Sequence, residues 1–194
     1  MPELDAVAAI EHAYLAVGIR SEVATRSTAS GYVAAQSPME GTKVRVRSKV
    51  GYTVSVTPTP TVVPDVIGQS FADANGALVA DLFVVYRIDT FETSAAVYTV
   101  MQQVPKGGTM WETGLPVALC VSAGPDDGTG IAVPDLTGKT LDEAHAMLQT
   151  AGLKEAGFVT NLTTPATNRV VGQAPMPKTV VRPGTTVLLL FKAP

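Results

Sequence analysis

Apolar residues fall along this chain in two alternating rhythms. Val7, Ile10 and Tyr14 stand at i, i+3 and i+7, one face of a helix, and predict a helix over 5–17 with Asp5 as N-cap and Gly18 as C-cap. Phe71, Ala74 and Leu78 make a second stripe, and Leu141, Ala144 and Leu148 a third. Ser70-x-x-Asp73 and Thr140-x-x-Glu143 precede these two stripes in the form of a capping box, complete only in the second, where Glu has the reach. Runs rich in β-branched and aromatic residues follow each stripe. They predict strands over 19–25, 31–36, 43–47 and 52–57, then 83–88, 98–102 and 116–122, then 153–159, 169–173 and 186–192. These runs alternate or are continuously apolar, as expected of small sheets with one face covered. Pro165, Pro175, Pro177 and Pro183 read as turn residues.

The rhythm is a repeat. Val133-Pro134-Asp135-Leu136-Thr137-Gly138-Lys139-Thr140 copies Val63-Pro64-Asp65-Val66-Ile67-Gly68-Gln69-Ser70 at an offset of 133 − 63 = 70. The offset persists without a gap through Gln103 and Gln173, Pro105 and Pro175, Gly114 and Gly184, to Leu119 and Leu189. A fixed period marks a repeat architecture. A further, less regular copy stands at the N-terminus. Gly18-Ile19 matches Gly152-Leu153, Gln36-Ser37-Pro38 matches Gln173-Ala174-Pro175, and Gly51-Tyr52-Thr53-Val54 matches Gly184-Thr185-Thr186-Val187, at offsets of 134, 137 and 133. Small deletions and one insertion, the latter over 43–49, account for the changes. Met1-Pro2-Glu3-Leu4 stands clipped where Val-Pro-Asp-Leu is expected.

The pattern Val-Pro-Asp-(Val/Leu)-x-Gly-x-(Ser/Thr), a short helix, Gly-Leu, Gln-x-Pro and Gly-(Thr)-x-Val-x-Leu resembles the PASTA repeat, a small extracellular module of bacterial Ser/Thr kinases and some penicillin-binding proteins. The resemblance covers nearly the whole chain and is strongest in the last copy. It implies an α+β fold of three tandem small modules, each one helix packed on a three-stranded antiparallel sheet. It also implies no catalysis, and a role in binding peptidoglycan fragments or in spacing domains. The modules are expected over 1–57, 63–122 and 133–194, with a stiff Thr/Pro linker over 58–62 and a flexible Gly/Asp linker over 123–132. Leu82 departs from the pattern where Gly152 keeps it, which bears on the turn from helix to strand.

Composition sharpens this picture. Modules of about 60–70 residues lie near the lower limit for burying a core. One cysteine, Cys120, excludes an intramolecular disulfide, and its place between Leu119 and Val121 reads as a buried thiol. No stretch reaches the ~20 apolar residues of a membrane span, so membrane insertion is not expected. No secretory signal opens the chain, which is then either not exported by the usual route or a cut fragment. The net charge of −3 is uneven. Residues 1–57 carry six basic and five acidic groups (+1), residues 58–130 two and eight (−6), and residues 131–194 six and four (+2).

Candidate chemistry is sparse. His12 and His145 have no partner at metal-ligand spacing, and no phosphate loop, paired-Cys motif or nucleophile elbow occurs, so no enzyme activity, metal or cofactor is expected. Three features can carry binding. Lys43, Arg45, Arg47 and Lys49 alternate, which on a strand puts four cations on one face, either as a guarded edge or as a contact for an acidic partner. Trp111, the one tryptophan, falls in a loop, either packed beneath it or free to stack on a sugar. Gln103 and Gln173, with Gln36 in the same place, suggest a shared structural hydrogen bond. Together with Trp111 and Arg169, Gln103 and Gln173 are also the candidate cell-wall contacts. An acidic chain whose basic stretch lacks interleaved aromatics is not expected to bind nucleic acid.

Two functions fit. The main expectation is a non-catalytic bacteriophage virion protein, a capsid decoration or tail component, oligomeric in its assembly and touching other virion or cell-envelope subunits and host cell wall. The alternative is the extracellular peptidoglycan-sensing region of a bacterial Ser/Thr kinase or penicillin-binding protein, on the cell-wall face of a Gram-positive or actinobacterial cell.

Overall fold

A computed structural model describes residues 1–159 and 169–191. The expectations for Pro165 and Lys192 lie outside those residues. The first copy contains α1 (Glu3–His12), β1 (Ala16–Ala24), β2 (Val33–Ser37) and β3 (Lys49–Val56). The second contains β4 (Pro60–Val62), α2 (Phe71–Ala80), β5 (Val84–Thr90), β6 (Val100–Val104), β7 (Met110–Glu112) and β8 (Pro116–Ser122). The third contains β9 (Ile131–Ala132), α3 (Leu141–Thr150), β10 (Lys154–Val159), β11 (Val170–Ala174), β12 (Val180–Val181) and β13 (Thr186–Phe191).

α2 and α3 bury the alanine of their stripes, Ala74 and Ala144, whereas α1 buries Ala6 and leaves Val7 and Ile10 half-buried. Thr140 caps α3 through the complete box, accepting from the Glu143 N–H while the Glu143 carboxylate accepts from the Thr140 N–H. The first helix differs from its sequence reading. Pro2, not Asp5, is the N-cap and makes no side-chain cap bond. The helix stops at His12, and Tyr14, 78% exposed, takes the left-handed turn at φ 56°. Leu82 (φ 60°) and Gly152 (φ 70°) hold the equivalent places, so the turn keeps its geometry even where leucine replaces glycine. Gly18 lies inside β1 instead. A Cβ there would stand 2.8 Å from the Val50 backbone, at a bulge between Val17 and Arg20 that inserts one residue. That bulge is the insertion in the first copy, and 43–49 contains none.

The sheets are mixed rather than antiparallel. In every copy the last strand lies between the other two: β3 pairs with β1 in parallel and with β2 antiparallel, and β8 and β13 repeat this with β5 and β6, and with β10 and β11. The chain reverses direction twice before the last strand inserts, so the first and last strands point the same way and become neighbours. The second sheet has five strands in the order β6-β8-β5-β12-β9, and β4 and β7 form a two-stranded ribbon.

The chain divides into two compact units. One comprises 1–61, 81–83 and 112–115, and the other 62–80, 84–111 and 116–194. In the first, β3 alternates between buried and less buried positions, as for a sheet covered on one face. The second unit holds most of the second copy and all of the third. There β8 is buried along its whole length and β13 nearly so. One face of β13 joins Val133, Leu136, Ala144 and Leu148 in the core under α3. The other face buries Leu188 with Ala174 against Ile88, Ala118 and Cys120. β12 adds to the neighbouring sheet at Val181–Thr90 and pairs with β9. The Gly/Asp stretch between these copies is therefore not a free linker. Asp126 Oδ1 accepts from the N–H groups of Gly128 and Gly130, both at 3.0 Å, and a Cβ on Gly130 would meet Val180 at 2.3 Å.

Candidate functional site

The sequence-predicted residues are divided between the units, Lys43, Arg45, Arg47 and Lys49 in the first and Gln103, Trp111, Arg169 and Gln173 in the second. Lys43 and Arg45 lie outside any strand, Arg47 sits in a turn at φ 63°, and only Lys49 opens a strand. The alternation that suggested a cationic strand face fails because Val44 and Val46, 40% and 72% exposed, find no core to enter. Arg47 instead donates its N–H to the Tyr14 carbonyl at 2.8 Å, as Gly114 does to Leu82 and Gly184 to Gly152. Among the described residues none of the four cations joins an ion pair. Arg26, in the same unit as Glu112, forms a two-pronged ion pair with it. This holds the Glu112 carboxyl below its usual range.

Trp111 lies on β7, half-buried, and its indole N–H donates to the Pro116 carbonyl at 3.1 Å, which is the packed arrangement. Arg169 donates to the Gly138 carbonyl at 2.7 Å. The glutamines are clamps. Gln173 Oε1 accepts from the Leu136 N–H at 2.8 Å, while its Nε2 donates to the carbonyls of Pro134 (3.0 Å) and Pro175 (3.1 Å). Gln103 does the same for Val66 N–H (3.0 Å) and the Pro64 carbonyl (2.8 Å). Both glutamines are almost fully buried, so they hold the Val-Pro-Asp segment against the sheet rather than face a ligand.

A different group of residues forms a groove in the second unit. About 270 Å³ in volume, it is lined by Tyr86, Arg87, Ile88 and Asp89 of β5 and by Arg182, Thr185 and Thr186 around the start of β13. Arg87 is held by Asp89 at 2.7 Å and stands 4.8 Å from the Phe71 ring and 5.3 Å from the Tyr98 ring. Arg182 lies 5.2 Å from the ring of Phe91. Cation–π contact of this kind orients a guanidinium while leaving its edge for hydrogen bonding. Arg87 is already paired with Asp89, so Arg182, the hydroxyls of Thr185 and Thr186 and the Tyr86 phenol are what the groove offers a ligand bearing carboxylates and hydroxyls. Sequence reasoning missed this group because no spacing rule links residues 86–89 to 182–186.

The match of a family model to residues 131–192 decides the nature of the last copy. It is a PASTA domain. A probable serine/threonine-protein kinase of Corynebacterium efficiens is 29% identical over 155 residues, 79% of this chain and 23% of the kinase. The probable serine/threonine-protein kinase PknB of Corynebacterium glutamicum is 30% identical over 154 residues, 78% of this chain and 23% of the kinase. The chain thus spans less than a quarter of the length of these relatives. The three-PASTA-domain structure of a Ser/Thr kinase from Staphylococcus aureus aligns with a TM-score of 0.33 at 19% identity, over 98% of this chain and 94% of that one. The entire extracellular region of the kinase PrkC from Staphylococcus aureus aligns with a TM-score of 0.32 at 20% identity, over 98% and 67%. The PASTA match and the kinase relatives favour the kinase alternative, and nothing among them supports a virion protein.

Proposed function

We propose that this chain is a non-catalytic, wall-facing region of a bacterial Ser/Thr kinase, built of three PASTA-like modules that engage peptidoglycan fragments outside the cell. The PASTA domain at 131–192 carries this reading, and the similarity to two corynebacterial kinases over nearly four-fifths of the chain supports it. The groove beside Arg87 and Arg182 supplies the chemistry. The stem peptide of a muropeptide ends in carboxylates, which a guanidinium pairs with in two-pronged geometry, and its sugars offer hydroxyls to Thr185 and Thr186. The kinase activity would reside in sequence beyond these 194 residues, and this region would turn nothing over.

Titration of soluble muropeptides by calorimetry tests the proposal. Binding by the wild type, weakened at least fivefold by Arg182→Ala and unchanged by Trp111→Ala, is the expected pattern. Wild-type protein that retains no muropeptide and no host peptidoglycan refutes it.

A further inference from the structure

Among the described residues five other than glycine take a left-handed φ, and Tyr98, at 70°, is the one of these whose ring stands beside a cation. Its place is fixed by the backbone. The Tyr98 N–H donates to the Ser122 carbonyl and the Phe71 N–H to the Tyr98 carbonyl, both at 2.8 Å. In the first copy the same two bonds run from Gly31 to Ser55 at 2.8 Å and from Glu3 to Gly31 at 3.0 Å, and Gly31 stands there at φ 81°. Glycine adopts this conformation freely, whereas a residue with a Cβ is strained in it. The second copy therefore keeps a bulky ring where the fold suits glycine. Burial does not offset the strain, because Tyr98 is 59% exposed. A side chain held against its local preference, with nothing gained in the core, points to a role outside the fold.

The surroundings of the ring indicate which role. The Arg87 guanidinium lies 5.3 Å from the centre of the Tyr98 ring and 4.8 Å from that of Phe71. Asp89 Oδ1 accepts from Arg87 Nε at 2.8 Å and stands 2.7 Å from Nη2, so the guanidinium is oriented before any ligand arrives. Arg87 Nη1 and Asp89 Oδ2 remain, a donor and an acceptor next to an exposed ring. A neutral pyranose fits this set. Its equatorial hydroxyls leave the faces of the sugar to C–H groups, which lie on an aromatic ring, while the hydroxyls at its rim meet the donor and the acceptor. A polyanion does not fit, because residues 58–130 carry two basic and eight acidic groups, 2 − 8 = −6.

We propose that Tyr98, with Arg87 and Asp89, is a stacking site for one pyranose of a neutral β-linked glycan. Arg87 also lines the groove that contains Arg182, so a glycan held on Tyr98 can carry its peptide towards that groove. The choice of glycan rests on the muropeptide reading, but the contact itself needs only sugar.

The test titrates the 194-residue chain with chitotetraose, a β-linked glycan that bears no peptide. Saturable binding is expected, with nuclear resonance shifts at Tyr98 and Phe71 and no change in affinity on Arg182→Ala. Tyr98→Gly should weaken binding by at least about tenfold without lowering the thermal midpoint, since glycine relieves the left-handed strain. Tyr98→Trp keeps a ring and should retain binding. No saturable binding of chitotetraose overturns the proposal, as does undiminished binding by Tyr98→Gly or an equal loss in Tyr98→Trp. A Tyr98→Gly protein that melts lower makes the ring a structural one and also overturns it. Octathymidylate bound as tightly as chitotetraose assigns the ring to base stacking, with the same result. Chitotetraose binding without muropeptide binding upholds this site and counts against the groove alone, and muropeptide binding without chitotetraose binding does the reverse.

Discussion

Replacing Gln173 by alanine should be among the most damaging polar substitutions in this chain, and the same change at Gln36 should be nearly silent. Gln173 is 5% exposed and makes three hydrogen bonds, two of them to the segment carrying Leu136, which is fully buried. Truncation strands the Leu136 N–H and the Pro134 carbonyl away from water. A buried group left unsatisfied costs about 1–3 kcal/mol, so two of them and a small cavity come to about 3–5 kcal/mol. That is a large share of the roughly 5–15 kcal/mol that holds a domain folded. At Gln36 water replaces the single bond to Pro38, and a change within about 0.5 kcal/mol is expected, as for an ordinary surface position. Urea unfolding followed by circular dichroism gives the total, and hydrogen exchange at the Leu136 amide reports the clamp itself. A Gln173→Ala protein within about 1 kcal/mol of wild type, or matched losses at the two positions, would refute the clamp reasoning.

Three further outcomes are expected. Gly152→Ala should cost about 1–2 kcal/mol in urea unfolding, because φ is 70° there and the nearest atom to a new Cβ, on Ile131, is 3.8 Å away, which leaves the backbone as the source of the cost; an unchanged midpoint would contradict this. Cys120, fully buried with its thiol pushed up to about 12 by desolvation, should resist a thiol reagent at pH 8 until the chain is unfolded, and rapid labelling of native protein would show the interior to be open. Glu143 is held below its ordinary value of 4.5, chiefly by the Thr140 backbone N–H. Its contribution is therefore complete above the unfolded value and is lost as pH falls through the lower folded value. Amide exchange in the first turn of α3 should quicken on acidification in the wild type and respond less in Glu143→Gln; identical profiles would remove the capping box from the account.

Much of the fold was written in local chemistry. The stripes at Phe71, Ala74, Leu78 and at Leu141, Ala144, Leu148 mark two helices to within a residue at their start, and Thr140 with Glu143 marks the cap, because these signals depend on neighbours along the chain. The repeated glutamine suggested one hydrogen bond shared by all three copies, but Gln103 and Gln173 hold a preceding segment while Gln36 is exposed and bonds only Pro38. Alternation misled at 43–47, where period two describes a strand only if one side of the chain meets a core, and Arg47 occupies a left-handed turn instead. The first helix was misplaced because Gly18 was read as a cap when it serves a bulge. The unbroken apolar runs at 117–121 and 187–191 carried a further message, since a strand buried on both faces is apolar at every position, although nothing in the runs identifies the second partner.

By itself the sequence determined the repeat, the second and third helices, the capping box of the third, and the scarcity of catalytic groups. Only the tertiary structure decided that the sheets are mixed, that the second and third copies share a core, and that Arg87 and Arg182 line one groove. The first set follows from interactions among residues close along the chain, where spacing alone fixes which side chains meet. The second follows from strand order and from the pairing of apolar faces, which join residues as distant as Thr90 and Val181 and leave no period in the sequence.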